Sequence, residues 1–316
     1  MYGRDLTSIL DLSADELAEV LNVALAIKRD GAGNRLPGRT LALLFEKPSL
    51  RTRVSFDVGM ARLGGRALYI GAHEVRVGER EPVKDAARVL SRMVDAIAAR
   101  TFAHTTVEEL ARWADVPVIN ALSDVEHPCQ ALADLLTLRE RFGDLRGLRL
   151  SYFGEGNNVA TSLAYASVLA GIELTCASPE GFELPRDVLE RASALAGSGS
   201  VRVTHDPVAA AAGANALYTD VWASMGQEHE LAARLEPFGP FQLNEALLEA
   251  APAEAIVLHD LPAHRGEEIT DAAIESDRSA VFDQAENRVY AQQAVLTLLL
   301  EPPSAHLPAA HLPAAR

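Results

Sequence analysis

Residues 41–56, LALLFEKPSLRTRVSF, put two hydroxyls and two guanidiniums where a chain leaves a buried strand and enters a helix. The strand should end near Phe45, with Pro48 and Ser49 forming the turn. Arg51, Thr52 and Arg53 then fall in the first helical turn. The helix dipole normally disfavours cations there, whereas the free backbone N–H groups attract anions. Two arginines at that spot therefore suggest a bound anion, with phosphate the best match. A solvated basic turn is the alternative this segment leaves open.

A second cluster, His127-Pro128-Cys129-Gln130, opens a helix after the apolar run 116–122, VPVINAL. His127 can donate to an oxygen, and Gln130 offers an amide to a carbonyl or an NH₂ group. A histidine before proline is otherwise a common loop residue. Arg100 follows AIAA (96–99) at a strand end, where ligands of open α/β sheets sit. By itself it could equally be an ion-pair partner.

The elements that must position these groups alternate along the chain. Apolar runs at 40–46, 66–71, 96–102, 116–122, 148–154, 172–178, 200–206, 215–220 and 254–262 read as strands. Amphipathic stretches at 12–30, 53–65, 83–95, 106–114, 127–143, 158–171, 185–197, 207–214 and 286–300 read as helices. This alternation predicts an α/β protein with two doubly wound parallel-sheet domains joined by interdomain helices. FGDLRG marks the break: 1–143 forms the first unit, with helix 286–301 packing back on it, and 147–285 forms the second. Residues 302–316, which repeat a Pro/Ala unit, are expected to be a disordered tail.

Composition excludes several classes. The chain has 316 residues with 44 acidic and 29 basic side chains, a net charge of −15. That balance argues against nucleic acid and anionic lipid as partners. No apolar run is long enough to span a membrane, and the N-terminus shows no secretory signal. Two cysteines, Cys129 and Cys176, fit a reducing, cytoplasmic compartment and make no metal cluster. Gly154-Glu155-Gly156 lacks the third glycine of a dinucleotide fingerprint. No cofactor or metal is expected.

Together, Ser49–Arg53, Arg100 and His127–Gln130 resemble the carbamoyl-phosphate site of the aspartate/ornithine carbamoyltransferase family. Residues 220–228, DVWASMGQE, resemble the substrate loop of its ornithine-specific members, and 259–266, HDLPAHRG, resemble their HCLP segment. The resemblance runs in order over about residues 5–300. It implies transfer of a carbamoyl group from carbamoyl phosphate to the δ-amine of ornithine, with citrulline and phosphate as products. It further implies a homotrimer with shared active sites.

By similarity, Ser49, Leu50, Arg51, Thr52, Arg53, Arg76 and Arg100 would bind carbamoyl phosphate. His127, Pro128, Cys129, Gln130 and Arg288 would complete that site. Ornithine would meet Asn158, Asp220, Ser224, Met225, Asp260 and Leu261, and Arg51, Arg100, His127, Gln130 and Asp260 would act in catalysis. Fixed donors would stabilise both the oxyanion created by amine attack and the departing phosphate.

Three positions depart from the family pattern. Leu50 replaces a threonine, removing a hydroxyl donor worth about 1 kcal/mol. Arg76 stands where many relatives carry a glutamine that reaches a neighbouring subunit. Asp260 replaces the family cysteine beside the reacting amine, and a contacting carboxylate would raise that amine's pKa by about 1–3 units. Asp260 could offset this by accepting the proton. Its presence keeps open another amine acceptor, or a catalytically weak paralogue.

Overall fold

The computed structural model describes residues 1–72, 78, 80–223 and 231–302. Nearly all of the expected tail lies outside them. The first sheet comprises β1 (Thr40–Phe45), β2 (Arg66–Gly71), β3 (Ala96–Arg100) and β4 (Val118–Leu122). Its order is β2-β1-β3-β4 and all pairings are parallel. β1 is buried at every residue, as a central strand covered on both faces must be. The second sheet holds β5 (Arg149–Phe153), β6 (Glu173–Ala177), β7 (Ser200–Thr204), β8 (Ala216–Thr219) and β9 (Ile256–His259). Its order is β7-β6-β5-β8-β9, again parallel throughout.

Both sheets reverse direction of winding once, the first between β1 and β3 and the second between β5 and β8. Such switch points open crevices beyond the C-terminal strand ends, which is where ligands bind in these sheets. Helix starts line those crevices. Ser49 caps α2 (Leu50–Arg62), its hydroxyl accepting from the Thr52 N–H at 3.3 Å. Pro128 occupies the first turn of α5 (Pro128–Phe142), where its missing N–H costs nothing. Asn157 caps α6 (Asn158–Ala170), accepting from the Val159 and Ala160 N–H groups. Gly156 must be glycine, because a Cβ there would sit 2.3 Å from the Leu184 nitrogen.

Two long helices join the halves. α5 packs against α6, and α12 (Val281–Leu300) packs on α1 (Ala14–Asp30), α2 and α5. α12 starts five residues before the expected 286, because Val281, Gln284 and Asn287 already belong to its buried face. α9 (Leu231–Phe238), α10 (Glu245–Ala250) and α11 (Asp271–Ile274) are short helices that hydrophobic periodicity did not disclose. Both cysteines are buried and unpaired, and burial pushes each thiol up to about 12. The Cys129 thiol donates to the Asn120 carbonyl at 3.5 Å.

Candidate active site

The strand ends of both sheets converge on one cavity of about 870 Å³. The β1–α2 turn and the start of α2 contribute Lys47, Pro48, Ser49, Leu50 and Arg51, the end of β3 contributes Arg100, and the turn after it contributes Phe102. The turn after β4 supplies Ser123, Asp124 and His127. From the second sheet come Glu155, Asn157 and Asn158 after β5, Asp220 after β8, and Asp260, Leu261, Pro262 and His264 after β9. Arg288 reaches in from α12.

Strand register explains two close approaches between residues far apart in sequence. Phe45 pairs with Arg100, so the arginine emerges beside the phosphate-type turn. The β3–β4 register also slips between Ala99 and Arg100, an irregularity of the kind that re-aims a side chain. Thr219 pairs with His259, so the next residues, Asp220 and Asp260, leave neighbouring strands side by side.

The cationic end is poorly neutralised. Nε atoms of Arg51, Arg100 and Arg288 are buried without a hydrogen-bond partner, as is Nδ1 of His127. Burial, then the Arg288 and Arg51 charges, lower Arg100 to about 10 despite opposing help from Asp260. Burial also lowers Arg51 and Arg288. His127 falls well below its ordinary value through burial and the Arg288 and Arg100 charges. Its ring is therefore a neutral donor, not a fourth cation. Unpaired donors converging in a cavity call for an anionic ligand.

The opposite end is anionic. Asp220 accepts from Asn157 Nδ2 at 2.7 Å and from the Val221 N–H at 2.7 Å. Burial and the facing Asp260 raise it well above the usual carboxylate range. Asp260 is also raised, chiefly by burial, while its contact with Asp220 and the charges of Arg288 and Arg51 pull the other way. Two like charges in contact oppose each other's ionisation, so the pair gives up its last proton at higher pH than an isolated carboxyl would. Behind it, His259 Nδ1 accepts from the Leu261 N–H at 2.9 Å, which leaves Nε2–H to donate to buried Glu268 at 2.9 Å.

Several expected site residues stand behind the wall of the cavity. Arg53 is exposed, its guanidinium 4.0 Å over the Tyr69 ring, so it does not join the other arginines. Thr52 is buried and accepts from Arg288 at 2.6 Å. Gln130 has its carbonyl occupied by Arg288 at 2.8 Å and its amide by Asp134 at 2.8 Å. Pro128 and Cys129 belong to the first turn of α5. Asn158 Nδ2 donates to the Ser123 carbonyl at 2.7 Å, linking the two halves of the cavity. Arg76, Ser224 and Met225 lie outside the described residues.

Other groups were missed by sequence reading. Lys47, its ammonium 4.5 Å over the Phe102 ring, lines the cavity one residue before Pro48. Burial and Arg100 lower its pKa. Asn157, not Asn158, touches Asp220. Position beside Pro48 was a signal for Lys47, but nothing in the pair of asparagines told which faces the acid.

The Ser49 cap leads to a prediction. Ser49→Ala should lower unfolding free energy by about 1 kcal/mol and weaken inorganic phosphate binding severalfold. Chemical denaturation and calorimetric titration check the two effects, and unchanged phosphate affinity would remove Ser49 from the anion site.

Family comparisons agree with this geometry. Residues 4–140 match "Aspartate/ornithine carbamoyltransferase, carbamoyl-P binding domain", and 146–299 match "Aspartate/ornithine carbamoyltransferase, Asp/Orn binding domain". An ornithine carbamoyltransferase of Parasynechococcus marenigrum is 53% identical over 301 residues, covering 95% of each chain. The structure of the Pyrococcus furiosus ornithine carbamoyltransferase superposes with a TM-score of 0.91 at 49% identity, covering 95% of this chain and 97% of that one. For the Thermus thermophilus ornithine carbamoyltransferase the values are 0.86 and 50%, covering 94% and 98%. With its two switch-point crevices, cationic turn and paired carboxylates, the chain belongs to the aspartate/ornithine carbamoyltransferase family.

Proposed function

We infer that the protein transfers the carbamoyl group of carbamoyl phosphate to the δ-amine of L-ornithine, giving L-citrulline and phosphate. The observation that carries this reading is a single cavity with a cationic end, Arg51, Arg100 and Arg288, facing Asp220 and Asp260. Such a cavity suits an anionic donor and an ammonium-bearing acceptor. Relatives about half identical to this chain act as ornithine carbamoyltransferases, which supports the same acceptor.

In this reading Ser49, Arg51 and Arg100 hold the phosphate. Neutral His127 and Arg288 donate to the carbamoyl oxygen, with Gln130 and Thr52 fixing Arg288 from behind. Asp220 holds the α-ammonium. The δ-ammonium loses one proton to Asp260, and the neutral amine then forms a bond to the carbamoyl carbon. Negative charge builds on the oxygen under the fixed donors, the carbon–oxygen bond to phosphate breaks, and phosphate leaves with the electron pair. The amine's second proton departs with the phosphate. This path uses no covalent nucleophile.

We assign residues 1–143, with α12 packed back, to carbamoyl phosphate and 147–285 to ornithine. The working form is a cytoplasmic homotrimer in an arginine-forming route. Exposed Leu50, Val54, Leu68, Val89 and Met93 in and around α2, β2 and α3 (Val83–Leu90) supply apolar surface for subunit contact. Asp260 in place of cysteine favours, as a second reading, another amine acceptor.

The test is citrulline formation from carbamoyl phosphate and ornithine, beside a panel of other amines with phosphate release as readout. Ornithine should give the fastest release. Faster release with another amine establishes the second reading, and no release with any amine overturns both.

A further inference from the structure

Behind the cavity a chain of buried hydrogen bonds continues from Gln130 to two residues with no role in the steps above, Asp134 and Gln284. Gln284, in the first turns of α12, is fully buried. Its Oε1 accepts from the His259 N–H at 2.8 Å, and its Nε2 donates to Asp134 Oδ1 at 2.7 Å. Asp134 is fully buried on α5, and the same oxygen accepts from Gln130 Nε2 at 2.8 Å. Gln130 in turn accepts from Arg288, which also donates to Thr52. Every amide orientation is forced. The His259 N–H can only donate, so Gln284 must present its NH₂ to Asp134. Arg288 can only donate, so Gln130 must do the same. Asp134 is thus the common acceptor on which the chain from the carbamoyl side and the chain from the amine side end.

That arrangement ties elements of both sheets. One end reaches the phosphate turn through Thr52 and Arg288. The other reaches the backbone of His259, the residue before Asp260. Buried amides with a single satisfied arrangement lock their elements, because any shift leaves a donor or acceptor unpaired in an apolar setting. Placement errors of about 1 Å between reacting groups cost on the order of a hundredfold in rate.

We propose that Gln284 and Asp134 are positioning residues that set the amine-side strand end, His259–Asp260, at its working distance from the carbamoyl-side donor Arg288. The proposal rests on the carbamoyl-transfer reading and concerns neither substrate's direct contacts. Phosphate-holding groups at Ser49, Arg51 and Arg100 lie off this chain. Disturbing it should therefore reduce kcat while leaving the KM for carbamoyl phosphate largely unchanged.

Removing and keeping that shared acceptor tests this. Both amides donate to the one oxygen, Oδ1, so Asp134→Asn keeps the acceptor for Gln130 and Gln284 alike, whereas Asp134→Leu removes it at similar volume. Gln284→Met removes the bond to Asp134 and the acceptor for the His259 N–H. Steady-state citrulline formation and thermal unfolding are measured for wild type and the three variants. We expect Asp134→Leu and Gln284→Met to lose at least tenfold in kcat, with the carbamoyl-phosphate KM within about threefold of wild type. Asp134→Asn should stay within about threefold of wild-type kcat. An Asp134→Asn variant that loses as much as Asp134→Leu, wild-type kcat in Gln284→Met, or a loss confined to carbamoyl-phosphate KM would overturn the proposal. Absence of citrulline with the wild type overturns the functional reading instead, so the two failures are distinct.

Discussion

Arg100→Gln should lower citrulline formation by about 10²–10³-fold without destabilising the protein. Arg100 is 9% exposed, and its Nε atom has no partner in the unliganded cavity. Its strand pairing with Phe45 directs it to the place where a departing phosphate would sit. Preorganised charge of this kind acts most strongly on the transition state, because the protein, not the substrate, has already met the cost of orienting it. The same preorganisation strains the free protein, where Arg100 lies near the Arg51 and Arg288 charges and is lowered to about 10. Glutamine keeps a donor but removes that repulsion. Thermal unfolding of the unliganded variant should therefore match or exceed the wild type, while added phosphate should stabilise it less. Steady-state kinetics and melting curves with and without phosphate separate the effects. A variant within tenfold of wild-type activity would take Arg100 out of the reacting centre.

Ornithine binding should strengthen with pH more steeply in the wild type than in Asp260→Cys. Asp220 and Asp260 are both raised by burial, and Asp220 further by its neighbour's charge. The groups facing the pair are Arg51, Arg288, Asp134 and His259. A raised carboxyl is protonated, and poor at holding ammonium, until pH climbs through its folded-state value. In the range where the pair still holds a proton, ornithine must displace it, and affinity gains up to about tenfold per pH unit. Cysteine at 260 removes the anionic neighbour, so Asp220 ionises at lower pH and the slope shrinks. Turnover should follow the same direction, with the optimum at higher pH in the wild type, since Asp260 beside the δ-ammonium also holds that proton more tightly. Measuring KM and kcat for ornithine across pH in both proteins decides the matter. Superimposable profiles would remove Asp260 from amine activation.

Strands and major helices were legible because apolar runs and helical spacing are local. So was the strand-to-helix turn that brings Ser49 and Arg51 to the cavity. Arg53 stands apart from the cavity for a geometric reason. Two residues on from Arg51 it lies on another face of α2, where it meets Tyr69. Gln130 is expected at the ligand, and its bonds to Arg288 and Asp134 were not legible in the sequence. Side-chain direction in a packed interior depends on partners that spacing does not name. Asp260 was legible as an unusual residue, but its partner Asp220 became evident only through the Thr219–His259 register. Gln284 escaped notice because a glutamine among apolar residues reads as an interruption of a helix, and α12 was begun too late to include it.

With Asp260 where the family resemblance implies a cysteine, no thiol lines the cavity, and the two that the chain carries are buried. A thiol pushed up to about 12 holds almost no thiolate near neutrality, and thiolate is the form that oxidants and alkylating agents attack. Carboxylates offer those reagents no target. Thiol-directed oxidants and alkylating agents therefore find no target in the cavity wall, and exposure to them should leave turnover of the folded protein unchanged.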